Sequence, residues 1–236
     1  VAGTGADSDG RATLLWTVAV AITNLLVILS APVLGAIADY GAYKKRFLIF
    51  TTLGCVIFTA ALASVDAGDV ALGMTLVILS AFMFATGEDL IAGFLPEIAA
   101  PKDMGRISGY GWSLGYLGGM LVLGLCLAYI AWATARGLPA THYVAVSMSI
   151  TAAMFALAAL PTFLWLRERA VPRRLPRARD YVSAGFARVR DTFRHARHYR
   201  DLFRFLLTLS IYYCGIHTVV VLAAVYAQEA MGFSTQ

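Results

Sequence analysis

The chain has 236 residues, 59% of them hydrophobic and only 14% charged, with 19 Lys and Arg against 14 Asp and Glu. Soluble domains are about 45–50% apolar and about 25% charged, so this composition excludes an ordinary water-soluble domain. The net charge of +5 is read as a nucleic-acid footprint only if its placement allows, and Cys55, Cys126 and Cys214, unpaired in spacing and set in apolar stretches, exclude a disulfide framework or a cysteine metal site.

In chain order, a polar run at 1–12 reads as an external loop, and then come six apolar stretches at 13–38, 47–65, 70–95, 108–135, 143–166 and 205–227. A helix needs about 20 predominantly apolar residues to cross a bilayer, and each stretch meets or approaches that length. The expected fold is all-α, a polytopic membrane bundle of six spanning helices. Asn24, in the first span, is placed to bond across helices. Short polar segments at 66–69 and 136–142 make tight hairpins on one side. The opposite side receives Lys44, Lys45, Arg46, Lys102, Arg106 and twelve arginines between 167 and 204, which is 17 of the 19 basic residues. That asymmetry is the positive-inside signal. It puts the basic residues in the cytoplasm and gives no nucleic-acid surface. The outside N-terminus, beginning at Val1 with no initiator Met or secretory signal, leads us to expect at least one helix upstream, and the Gly/Ser/Thr end a further helix downstream.

The first inner loop reads Gly35-Ala-Ile-Ala-Asp39-Tyr-Gly41-Ala-Tyr-Lys44-Lys45-Arg46. A carboxylate one turn past a helix-contact glycine, with three cations close behind, suits a charged latch at a helix–loop junction. In the third span Glu88 and Asp89 stand side by side. A charge at mid-membrane costs about 2.5–3.5 kcal/mol on insertion scales. Such groups suit exchange of a proton, coupling to a cation, or recognition of a substrate amine; a structural pair salt-bridged to another helix is the plainer alternative. Helix neighbours point about 100° apart, so one can face a cavity while the other meets a partner helix.

Phe94-Leu-Pro-Glu-Ile98 precedes a fourth span in which Gly111, Gly115 and Gly119 recur every four residues, a smooth face for close packing or sliding. Gly109-x-Gly111 follows no strand and leads into a span, so it is no dinucleotide fingerprint. Between 167 and 201, Pro172 and Pro176 stop the fifth span. After them Val182, Phe186, Val189 and Phe193 step at helical spacing, with Arg188, Arg190, Arg194 and Arg197 on a basic side. This helix is expected to lie flat on the anionic inner leaflet. His195 and His198, three apart on it, are a weak metal pair; no metal site and no cofactor is expected. Nothing here converges on a nucleophile or a nucleotide, so neither an enzyme nor ATP drive is expected.

The 35–46 loop resembles the first inner-loop motif of the major facilitator superfamily. The Leu-Pro-Glu segment, with Arg106-Ile-Ser-Gly-Tyr-Gly-Trp-Ser-Leu-Gly-Tyr-Leu-Gly-Gly119, is similar to the branch of autophagy-related vacuolar amino-acid effluxers and their bacterial relatives. The resemblance implies that the six spans are helices two to seven of a twelve-helix transporter: 13–166 the N-terminal half without its first helix, 167–201 the linker, 202–236 the start of the C-terminal half. It implies secondary active transport by alternating access, moving a small polar solute of the amino-acid kind across a bacterial plasma membrane. It also implies a central cavity between the third and sixth spans, with Glu88 or Asp89 opposite His217. Two departures stand out. Tyr40 replaces the basic residue after Asp39 while the loop glycine comes one position early, and Cys214 stands where the branch often has an acid. A non-transporting membrane scaffold or assembly factor on the same fold is the alternative. The sequence does not define an oligomeric state.

Overall fold

The computed structural model describes residues 6–66, 68–168 and 178–231, with side chains from residue 13 onward except at 178–180, 196–198, 221 and 224–231. All regular structure among them is helical. The helices are α1 (Ala6–Gly41), α2 (Lys44–Ala61, extended by a 3-10 turn at Leu62–Ser64), α3 (Val70–Ala92), α4 (Leu95–Ile98), α5 (Met104–Ala135), α6 (Ala140–Trp165), α7 (Ala178–His198) and α8 (Arg200–Met231). Among the described residues, six segments are long and apolar enough to cross a membrane: Thr13–Gly41, Lys44–Ser64, Val70–Ile98, Met104–Ala135, Ala140–Trp165 and Arg200–Val220. The chain is therefore a polytopic helical membrane protein.

Helix ends differ from the apolar boundaries for a physical reason. Backbone hydrogen bonding does not stop where charge begins, so Lys44–Arg46 form the first turn of α2 and Arg200–Arg204 that of α8. At the N-terminus, α1 already starts at Ala6, inside the run expected as a loop. α3 instead ends early, at Ala92. Pro96 lacks the N–H that a continuous helix would need, and the chain restarts as α4. At the outer end of α5, Gly137 takes φ 70°. Its N–H donates to Thr134 O (2.9 Å) and the Leu138 N–H to Ala133 O (3.0 Å), the paired bonds of a glycine-terminated helix. Pro172 and Pro176 lie outside the described residues.

The chain divides into two units, residues 1–182 and 183–236. In the first, α2 packs between α3 and α6, α1 packs on α3, and α5 packs on α6. Glycines set the α2–α3 approach. A Cβ at Gly54 would stand 3.1 Å from the Met83 side chain, and one at Gly87 would stand 3.2 Å from Thr51 Oγ1. A buried cluster of this unit gathers at one end, where Ala38, Leu48, Leu90 and Phe94 meet Phe47, Phe163 and Leu166. Elsewhere large apolar side chains face outward, among them Leu117 and Met120 of α5. Such a surface suits lipid or further helices and is ill suited to water. In the second unit, α7 and α8 are joined by Tyr199 alone, and Phe193 meets Phe203 edge-on with ring centroids 5.8 Å apart.

Candidate functional site

The site grows from the end of α1. The Tyr43 N–H donates to Ala38 O (3.1 Å), closing the last turn, and the residue that this closure forces into the left-handed region is Ala42, at φ 52°. The sequence offers a glycine one position early, at 41. That glycine meets a different need, because a Cβ on it would strike the Tyr43 ring. A left-handed residue with a Cβ costs about 1–2 kcal/mol, offset in part by the greater chain entropy glycine loses on folding. Ala42→Gly should therefore raise the thermal midpoint of the detergent-solubilised protein, while Gly41→Val should lower it. A lower midpoint for Ala42→Gly would refute the strain assignment.

The turn delivers Lys44 into a hub. Its Nζ lies 3.1 Å from Asp39 Oδ1 and 3.0 Å from Glu97 Oε1, and donates to Gly93 O at 3.4 Å. The Lys44 and Glu97 side chains are only 14% and 15% exposed, against 40% for Asp39. Glu168, just past α6, caps α2 from a distance. Its Oε1 accepts the Lys44 N–H (2.8 Å) and its Oε2 the Lys45 N–H (3.2 Å). This answers a local defect. Tyr43 supplies no side-chain cap, and the first turn of α2 carries cations where the helix dipole favours an anion. Lys45 Nζ donates to Leu166 O (2.7 Å), and Arg46 lies over the Tyr43 ring at 5.3 Å. One cation cluster thus ties together the ends of α1, α2, α3–α4 and α6, directly above the buried Phe94 plug. The loops at 39–46, 93–97 and 166–168 lie on one side of the first unit, the grouping expected from the basic residues.

Glu88 and Asp89 diverge. Glu88 enters a cleft of about 280 Å³ between α2, α3 and α6, beside Thr52, Phe84, Phe155 and Thr162. Asp89 turns to α1, into a cavity of about 60 Å³ with Val27, Ala31, Leu34, Gly35, Thr86 and Leu90. Thr86 is buried there and its Oγ1 finds no hydrogen-bond partner. A void of that size has room for a water or a small cation but for no solute of amino-acid dimensions. Gly35 of the loop motif and Asp89 of the acidic pair, far apart in sequence, thus line one cavity.

The family model described as "Vacuole effluxer Atg22 like" matches residues 9–236. The chain belongs to that family. An Atg22-like chain of this kind is also 30% identical over 212 residues, 89% of its length, to the protein named "Uncharacterized MFS-type transporter YxiO" of Bacillus subtilis (strain 168). It spans about half the length of that curated relative, 49%. No solved structure matches it. Family and relative make it a membrane protein of the major facilitator type.

Of the remaining sequence candidates of this Atg22-like chain, Asn24 is exposed on α1, and His217 is exposed on α8 in the second unit. Space is open at Gly111, Gly115 and Gly119, with nothing within 4 Å of a Cβ at any of them. Among the described residues, no group of three or more metal-ligating side chains converges. His195 Nδ1 lies 2.8 Å from Asp191 O, and the His198 side chain is outside the described set. Sequence reasoning missed Glu97 and Glu168 as members of the hub. Both are acids set among the basic connectors, Glu97 in Leu-Pro-Glu and Glu168 between Arg167 and Arg169. That isolation was the available signal.

Proposed function

We propose that the Atg22-like chain belongs to a secondary active transporter that moves a small polar solute of the amino-acid class by alternating access, coupled to a proton or a small cation. The observation that carries this reading is the Lys44 hub. Four helix ends are held by ion pairs and hydrogen bonds on one side of a bundle, and such contacts can be made in one state and broken in another. The hub takes the role of the inner-side latch. Asp89, in its small cavity beside Gly35 of the latch motif and the Thr86 hydroxyl, takes the coupling role. The open glycine face of α5 takes the role of a sliding contact for another helix.

The test is flux. The protein as its gene encodes it is reconstituted in liposomes with labelled amino acids on one side and an imposed proton gradient. Accumulation that collapses when the gradient is dissipated is the expected outcome. Folded protein that moves none of the amino acids under any proton or sodium gradient would favour the scaffold reading.

A further inference from the structure

We propose that α7 is a docking surface for anionic phospholipid, lying in the interfacial plane with its apolar stripe among the acyl chains. The inference rests on the membrane-spanning character of the chain and is independent of what is transported.

Three observations carry it. At about 100° per residue, Val182, Phe186, Val189 and Phe193 fall within an arc of about 60°. All four are exposed, at 43%, 49%, 52% and 57%. On the same wheel Arg190 and Arg194 flank the stripe on one side, Arg188 lies toward the other, and Asp191 stands opposite. Long arginine side chains so placed reach phosphate level while the stripe sinks below it.

The second observation is height. α7 ends at His198 and the membrane-crossing part of α8 begins at Arg200, so a single residue, the exposed Tyr199, separates them. The end of α7 is thereby fixed at the bilayer interface, where tyrosine is favoured.

The third is orientation. The Phe193–Phe203 contact turns the apolar stripe toward the turns of α8 that enter the membrane. A solvated linker would leave four large apolar side chains in water with nothing to offset the cost. An acidic protein partner would match the arginines, but connectivity already puts the helix against the bilayer. Charge, height and orientation agree on anionic lipid.

The test uses the protein as its gene encodes it, with native cysteines replaced, in nanodiscs of phosphatidylcholine alone or with phosphatidylglycerol in equal amount. An environment-sensitive fluorophore is attached through Val189→Cys or Asp191→Cys. At 189 the label should be quenched by spin-labelled lipid in the phosphatidylglycerol discs, and at 191 by an aqueous quencher. Omitting phosphatidylglycerol, or combining Arg190→Gln with Arg194→Gln, should lower the docked-to-undocked ratio roughly tenfold or more, since each surface arginine contributes appreciably to binding an anionic leaflet. Arg190→Lys with Arg194→Lys should retain the lipid dependence, which separates lost charge from lost fold. Equal aqueous quenching at both positions would overturn the proposal in favour of a solvated linker. Shielding of 189 from lipid and water alike, whatever the disc, would overturn it in favour of a protein partner or a second copy.

Discussion

On the transport reading proposed above, Glu88→Gln combined with Asp89→Asn is expected to reduce proton-driven flux at least about tenfold, equivalent to about 1.4 kcal/mol or more on the rate-limiting barrier, while the protein still folds. The expectation starts from cost. A carboxyl group in a spanning helix is poorly tolerated unless it does something there, and this chain places two in succession on α3. Geometry then separates them. Both acids face mainly apolar walls with threonines among them, Thr52 and Thr162 beside Glu88 and Thr86 beside Asp89, but the Asp89 cavity is the smaller, about 60 Å³ against about 280 Å³, and holds the unpartnered Thr86 hydroxyl. A proton or small cation needs oxygen ligands and little room, which is the Asp89 description. The single variant Asp89→Asn should therefore carry most of the loss, and Glu88→Gln a minor part. Thr86→Val, which keeps shape and removes the hydroxyl, should weaken coupling in the same direction as Asp89→Asn. Undiminished gradient-driven flux in the double variant would remove both acids from the mechanism. Full flux in Asp89→Asn with loss in Glu88→Gln would reverse their roles.

The membrane fold was legible because the bilayer imposes a length and a polarity that any spanning helix must show, and all six stretches show them. The ends were less legible. Hydropathy stops at the first charge, but a helix continues through Lys44–Arg46 or Arg200–Arg204 as long as its backbone groups find partners. The pairing of Asp39 with a nearby cation could be read locally, since Asp39 and Lys44 are one loop apart. Which cation it takes, and that Glu97 and Glu168 complete the cluster, depends on tertiary proximity across 53 and 124 residues. A single sequence carries no period or spacing for such a meeting. The Ala42 strain was half visible. The early glycine marked an irregular loop, yet only the backbone reveals that position 42 is the left-handed one. The divergence of Glu88 and Asp89 follows from helical geometry alone, but which of them meets α1 does not.

On the transport reading proposed above, Lys44→Gln is expected to open the inner side of the protein as well as to destabilise it, and the two effects can be told apart. Lys44 and Glu97 are each about six-sevenths buried over an apolar plug, whereas Asp39 is much more exposed. Breaking a fully buried pair costs about 3–5 kcal/mol by stranding a charge, and an exposed pair is worth about 0–1 kcal/mol. The hub lies between, so a loss of about 2 kcal/mol is expected for Lys44→Gln. Double-mutant cycles on unfolding free energies should give a coupling of about 1–3 kcal/mol for Lys44 with Glu97 and less than about 1 kcal/mol for Lys44 with Asp39. If the hub holds one state of an alternating-access cycle, about 2 kcal/mol removed from that state alone shifts the population about 30-fold. Inner-side accessibility of a cysteine placed in the closed path should rise accordingly, in Glu97→Gln as in Lys44→Gln. A hub that merely braces the fold would lower the unfolding free energy in both variants and leave accessibility unchanged. Additive single variants, agreeing within about 0.5 kcal/mol, together with unchanged accessibility would mean that Lys44 and Glu97 neither support one another nor latch anything.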